Sequence, residues 1–121
     1  MDQLLLVEDD PLVALTTEML LKELGYQVIT AEDGPAAMAQ LELHSDELVA
    51  LVTDVKLLGA DGWAVAKRAR QLRPNLPVLY LSGDSGVDWG ENGVPGSAML
   101  PKPFPNGKLA LELTKLVAAT A

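Results

Sequence analysis

At 121 residues with a net charge of −8 and no cysteine, the chain fits one domain able to bury a core without staples. Disulfides, thiolate metal sites and cysteine nucleophiles are excluded. The opening MDQLLLVEDDP holds an apolar run too short for a signal segment or a membrane span, so the expectation is a soluble, cytoplasmic protein. An acidic surface repels phosphate backbones, and no basic stripe with interleaved aromatics occurs. Direct nucleic-acid binding is therefore not expected, and any effect on transcription would pass through a partner or an output domain.

In chain order, the first apolar run, Leu4 to Val7, leads into Glu8-Asp9. A helix follows, capped by Asp10, with Pro11 in its first turn and Gly25 after Leu24 as its stop. Its core side is read as Leu12, Leu15, Met19 and Leu20. After the run Gln27 to Ala31, a second helix opens at Asp33-Gly34-Pro35, passes through Ala37, Met38 and Leu41, and frays at His44-Ser45, where His44 is expected to face solvent. Leu48 to Thr53 is apolar at nearly every position, the pattern of a parallel strand covered on both faces.

Beyond Asp54, a third helix from Gly62 to about Leu72 is expected to turn Trp63, Ala66 and Ala69 inward and to end before Pro74. The fourth run is Val78 to Ser82. Gly83, Gly86, Gly90, Gly93, Pro95 and Gly96 then crowd one stretch, and each interior glycine costs a helix roughly 1 kcal/mol against alanine. A short or mobile fourth helix of low local stability is expected around Val87 to Asn92, anchored by Trp89. Ala98 to Leu100 is the fifth run. The last helix carries Leu109, Leu113, Leu116 and Val117 at the spacing of a stripe that packs on a sheet.

Five strand-helix units with right-handed crossovers make an α/β doubly wound parallel sheet of order 2-1-3-4-5, the flavodoxin-like (βα)5 arrangement. Sites in such sheets lie beyond the strand carboxyl ends, where the order reverses between the first and third strands. That rule brings Glu8, Asp9 and Asp54 to one crevice. Three bare carboxylates repel each other and raise their pKa values, so a divalent cation is the natural neutraliser. Oxygen ligands favour Mg2+, with Mn2+ able to substitute. Ser82 at the end of the fourth run and Lys102 after the fifth add a hydroxyl and an ammonium group. Carboxylate nucleophile, metal, hydroxyl and lysine together constitute a phosphoryl-transfer site whose product is an aspartyl phosphate. Taken singly, Glu8-Asp9-Asp10 reads as an acidic turn, Asp54 and Ser82 as turn residues, and Lys102 as a solvated charge. The joint placement at four strand ends carries the functional reading.

Leu5 to Pro11 (LLVEDDP), Thr53-Asp54-Val55, Asp61-Gly62, Leu81-Ser82-Gly83 and Lys102-Pro103-Phe104 together resemble the receiver domains of two-component response regulators, across essentially the whole chain. The resemblance implies that Asp54 is the phosphoacceptor, Asp9 a direct metal ligand and Glu8 a ligand acting mainly through water. It further implies that the backbone carbonyl of Lys56 ligates the metal, that Ser82 and Lys102 contact the phosphoryl oxygens, and that the Lys102-Pro103 bond is cis. A histidine kinase or histidine phosphotransfer domain is the implied donor, and a downstream protein the implied target. The reading face would be built from the fourth helix, fifth strand and fifth helix. Such a domain is a switch with self-directed phosphoryl chemistry rather than an enzyme, and the resemblance leaves room for a phosphorylation-dependent dimer. Residues 1–121 are expected to form this one domain, with no output domain after Ala121.

Several positions depart from the pattern. Met99 stands where relatives often carry an inward-swinging aromatic, Leu58 where a proline is common, and Pro105 where a capping aspartate is frequent, so the fifth helix should begin near Asn106 or Gly107. The Lys56 side chain is either a neighbour of the phosphoryl group or a solvated cation. Two other readings remain open. One is a receiver that serves as a phosphate-independent interaction module. The other is a small metal-dependent phosphohydrolase, against which Glu8-Asp9-Asp10 lacks the Asp-x-Asp spacing of the haloacid-dehalogenase type.

Overall fold

The structure is a computed structural model that describes residues 2–57, 59–83, 86–105 and 107–119. Its elements are β1 (Gln3–Val7), α1 (Pro11–Glu23), β2 (Gln27–Ala31), α2 (Gly34–His44), β3 (Leu48–Asp54), β4 (Lys56–Leu57), β5 (Ala60–Asp61), α3 (Gly62–Leu72), β6 (Val78–Ser82), α4 (Gly86–Asn92), β7 (Ala98–Pro101) and α5 (Lys108–Ala119). Five strands form one parallel sheet in the order β2-β1-β3-β6-β7, while β4 and β5 pair antiparallel on their own. Counting only strands of the main sheet, this is the expected order 2-1-3-4-5. The sequence pattern did not reveal the small β4-β5 pair.

Alternation along the strands divides the core in two. Leu5, Val7, Leu51 and Tyr80 face α2 and α3, where Ala37, Leu41, Val65, Ala66 and Ala69 meet them. Leu4, Leu6, Val52, Leu79 and Leu81 face the opposite way, toward Leu21 of α1 and Leu109 and Leu113 of α5. Both faces of the central strands are thus covered, which explains their unbroken apolar runs. Each fully buried leucine contributes roughly 1.5–3 kcal/mol to this arrangement.

Two local expectations are corrected. Leu12, Leu15, Met19 and Leu20 do not form the inner side of α1, since they are 73%, 55%, 57% and 36% exposed. The inward line is half-buried Val13 followed by buried Thr17 and Leu21, at i, i+4 and i+8. Apolar residues occupy several faces of this helix, so periodicity alone could not select one. His44, expected in solvent, is half-buried as the last residue of α2. Trp63 is half-buried against the core, and α5 begins at Lys108. Leu58 and Asn106 lie outside the described residues.

The segment after Asp54 is held by close backbone contact. Gly59, with φ of +77°, turns β4 into β5, and Asp61 caps α3 by accepting from the Ala64 amide at 2.8 Å. The Gly62 amide donates to the Val55 carbonyl at 2.6 Å, and a Cβ on Gly62 would fall 2.1 Å from the Asp54 carbonyl oxygen. Only glycine fits there without displacing the end of β3. Gly62→Ala is expected to lower stability by about 1–3 kcal/mol, the range for overpacking, read by denaturant unfolding. An unchanged unfolding midpoint would contradict the assigned contact.

Candidate functional site

The chain reaches the carboxyl edge of the sheet at four neighbouring points. β1 delivers Glu8 and Asp9, β3 ends on Asp54, β6 ends on Ser82, and β7 leads into Lys102. Register places these ends together, since Val7 pairs with Thr53, Asp54 with Leu81, and Ser82 with Pro101. The Lys102 amide donates to the Ser82 carbonyl at 2.8 Å, continuing the ladder just far enough to fix the start of the lysine side chain. The Lys102-Pro103 bond is cis, in accord with the expectation.

Glu8, Asp9 and Asp54 each present a carboxylate oxygen within 4.8 Å of the others. Glu8 and Asp54 are buried, at 3% and 8% exposure, while Asp9 is half-buried. The Lys102 ammonium donates to Glu8 Oε1 at 2.9 Å and to Asp54 Oδ2 at 3.0 Å. Glu8 Oε2 accepts from the Asp10 amide at 3.3 Å. Asp10 itself caps α1, accepting from Leu12 and Val13, as its place before Pro11 suggested. Ser82 is buried at 3% exposure one strand away from Asp54. The Lys56 side chain is exposed, and its backbone pairs with Asp61 in the small hairpin.

Burial is the largest influence on Glu8 and raises its pKa; the Lys102 bond lowers it and the Asp54 charge raises it further, leaving the net shift upward. For Lys102, burial pulls the pKa down, but its bonds to Glu8 and Asp54 outweigh that, and the net shift is upward. The Lys102 ammonium thus bonds two of the three carboxylates. The remaining negative charge and all-oxygen donor set suit a hard divalent ion, with the Lys56 carbonyl on the adjoining segment as a further candidate donor.

Two residues that the sequence offered only as parts of motifs support the site. The buried Thr53 hydroxyl donates to the Asp54 carbonyl at 2.9 Å, and Gly62 admits that same carbonyl. Asp61-Gly62 was visible as a motif, but its reason, the close approach to β3, appears only in three dimensions.

Comparison with known proteins agrees with the fold. Residues 4–114 match the family described as response regulator receiver domain. The chain is 32% identical over 118 residues to the probable transcriptional regulatory protein TcrX of Mycobacterium tuberculosis, a match covering 96% of this chain and 50% of that protein. It spans about half the length of the curated relatives it matches. A response regulator receiver protein from Sinorhizobium medicae superposes with a TM-score of 0.94 at 33% identity, covering 99% of this chain and 97% of that one. The receiver domain of sensor histidine kinase PA1611 from Pseudomonas aeruginosa, with a magnesium ion coordinated in its active-site cleft, superposes with a TM-score of 0.84 at 27% identity, covering 97% of this chain and 98% of that one. No helix among the described residues is long and apolar enough to cross a membrane.

The Glu8 shift has a definite sign for stability. Its folded pKa lies above the unfolded value, so the folded state holds the proton longer and stability falls as pH rises from the ordinary value of 4.5 through the raised one. In chelator, Glu8→Gln is expected to melt above the wild type at neutral pH and close to it below pH ~4.5. A neutral-pH melting temperature at or below that of the wild type would refute this reading of the pocket.

Proposed function

The chain belongs to the response regulator receiver domain family, whose members are regulatory domains of two-component systems rather than conventional enzymes, and on that premise we propose that it is a phosphoacceptor switch. The observation that carries the proposal is the convergence of Asp54, Glu8, Asp9 and Lys102 in one pocket, with Lys102 bonded to both buried carboxylates. Asp54 is the nucleophile. Its carboxylate oxygen forms a bond to phosphorus as the phosphorus-nitrogen bond of a donor phosphohistidine breaks, and the freed imidazole takes up a proton. Lys102 moves its charge from the carboxylate to a phosphoryl oxygen, and the Ser82 hydroxyl donates to another.

Asp9, Asp54 and the Lys56 carbonyl would hold a Mg2+ ion directly, with Glu8 acting through water. Mn2+ would serve in its place. Such an ion would supply positive charge against these acids and the transferring group. The donor would be a histidine kinase or histidine phosphotransfer domain. Its docking face is the exposed apolar side of α1, which begins beside the pocket and borders a groove lined by Leu12, Leu20, Leu24, Lys102, Phe104 and Leu109. The phosphoryl group adds nearly two negative charges, draws Ser82 inward and reshapes the face formed by α4, β7 and α5, which a downstream protein reads. Attack by water, assisted within the same pocket, resets the switch.

Incubation with acetyl phosphate should add about 80 Da, one phosphoryl group, in a magnesium-dependent manner, and Asp54→Asn should abolish the adduct. No adduct with either acetyl phosphate or a competent kinase would overturn the proposal. Leu15→Asp should slow transfer from a kinase about tenfold, the usual scale for one interface contact, while leaving acceptance from acetyl phosphate unchanged. Equal rates with the kinase would remove α1 as the docking face.

A further inference from the structure

Tyr80 lies in the middle of β6, fully buried, two residues before Ser82. Trp63 of α3 packs against its ring with centroids 4.6 Å apart, and Met99 is its register partner on β7. A buried phenol carries an oxygen that needs a hydrogen-bond partner, and here that oxygen accepts from the Val94 amide at 3.2 Å. Val94 belongs to the turn between α4 and β7, outside every ladder of the sheet.

That turn is tied outward to α4 by a continuous series of bonds. The Val94 carbonyl accepts from the Ser97 hydroxyl at 2.6 Å and from the Ser97 amide at 3.2 Å. Ser97 Oγ in turn accepts from the Trp89 indole of α4 at 3.0 Å. The Gly93 amide donates to the Trp89 carbonyl at 2.7 Å, and a Cβ at Gly93 would fall 2.4 Å from the Trp89 ring. Arg70 of α3 holds the next carbonyl, that of Pro95, at 2.7 Å. Bonded and packed groups therefore run without a gap from the strand that ends in Ser82, through Tyr80, Val94 and Ser97, to Trp89.

We propose that Tyr80 is the positioning residue that couples the Ser82 end of β6 to α4, its hydroxyl holding the Val94 turn in one state and releasing it in the other. The pull on Ser82 is supplied by the phosphoacceptor reading, on which this inference rests. Inward movement of Ser82 shifts β6, the Tyr80 oxygen withdraws from the Val94 amide, and the Trp89 end of α4 is freed to take a second position.

The test uses the full chain labelled with nitrogen-15, following the Trp89 indole resonance and hydrogen exchange at the Val94 amide, with intact mass as the separate readout of phosphoryl acceptance. Tyr80→Phe should accept phosphate from acetyl phosphate as the wild type does, yet exchange the Val94 amide about five- to tenfold faster, the scale of one hydrogen bond. Phosphorylation should move the Trp89 resonance in the wild type and leave it in place in Tyr80→Phe. Ser97→Ala, which cuts the series further out, should show the same separation of acceptance from response. A Trp89 response retained in Tyr80→Phe, or unchanged Val94 exchange, would overturn the inference. If the wild type takes no phosphoryl group, the phosphoacceptor reading fails by itself, and Ser82→Ala then decides the coupling. A Trp89 shift caused by Ser82→Ala and lost when Tyr80→Phe is added supports it; an absent or equal shift overturns it.

Discussion

The Lys102 ammonium, 2.9 Å from Glu8 and 3.0 Å from Asp54, holds two buried carboxylates in a pocket where a third, Asp9, also points an oxygen. Without a cation between them these groups would repel one another in surroundings that screen charge poorly. The lysine offsets part of that repulsion and leaves a net negative site. The rest of the molecule can be understood as the scaffold that forces this unfavourable gathering of charge. Leu4 to Val7, Ala50 to Val52 and Val78 to Leu81 are buried on both faces of the sheet, and their burial supplies the free energy that the acidic edge consumes.

The order of strands turns that edge into a site. Because β1 lies between β2 and β3, the chain leaves β1 toward one face and β3 toward the other, opening a crevice at the carboxyl ends. Each flank of the crevice is fixed by a separate local device. Asp10 and Pro11 start α1 immediately after the acidic pair, Gly62 lets the return segment press against the Asp54 carbonyl, and the Lys102 amide is bonded to the Ser82 carbonyl. The site is therefore built on strand ends and short turns, where small movements of a side chain or a strand register as changes in neighbouring loops.

Most of the fold was legible because its signals are local and redundant. Continuous apolar runs, Pro11 and Pro35 at helix starts, and Gly25 at a helix end fixed the succession of elements, and right-handed crossover fixed the sheet order. The gathering of Glu8, Asp9, Asp54 and Lys102 could be anticipated because each follows or ends a strand. The inner face of α1 was not legible: its leucines lie on several sides, and Thr17, a polar residue, is on the buried one. Contacts set by backbone approach, such as Gly62 against β3, and long-range bonds such as that between Tyr80 and Val94 leave no periodic trace.

Whether the acidic edge accepts a divalent cation is tested most directly by thermal unfolding in chelator and in millimolar MgCl2, for the wild type and for Asp9→Asn. Magnesium should raise the melting temperature of the wild type, since an ion bound only by the folded state stabilises it, and Asp9→Asn should lose most of this gain while remaining folded. Coincident melting curves for the wild type with and without magnesium would contradict it.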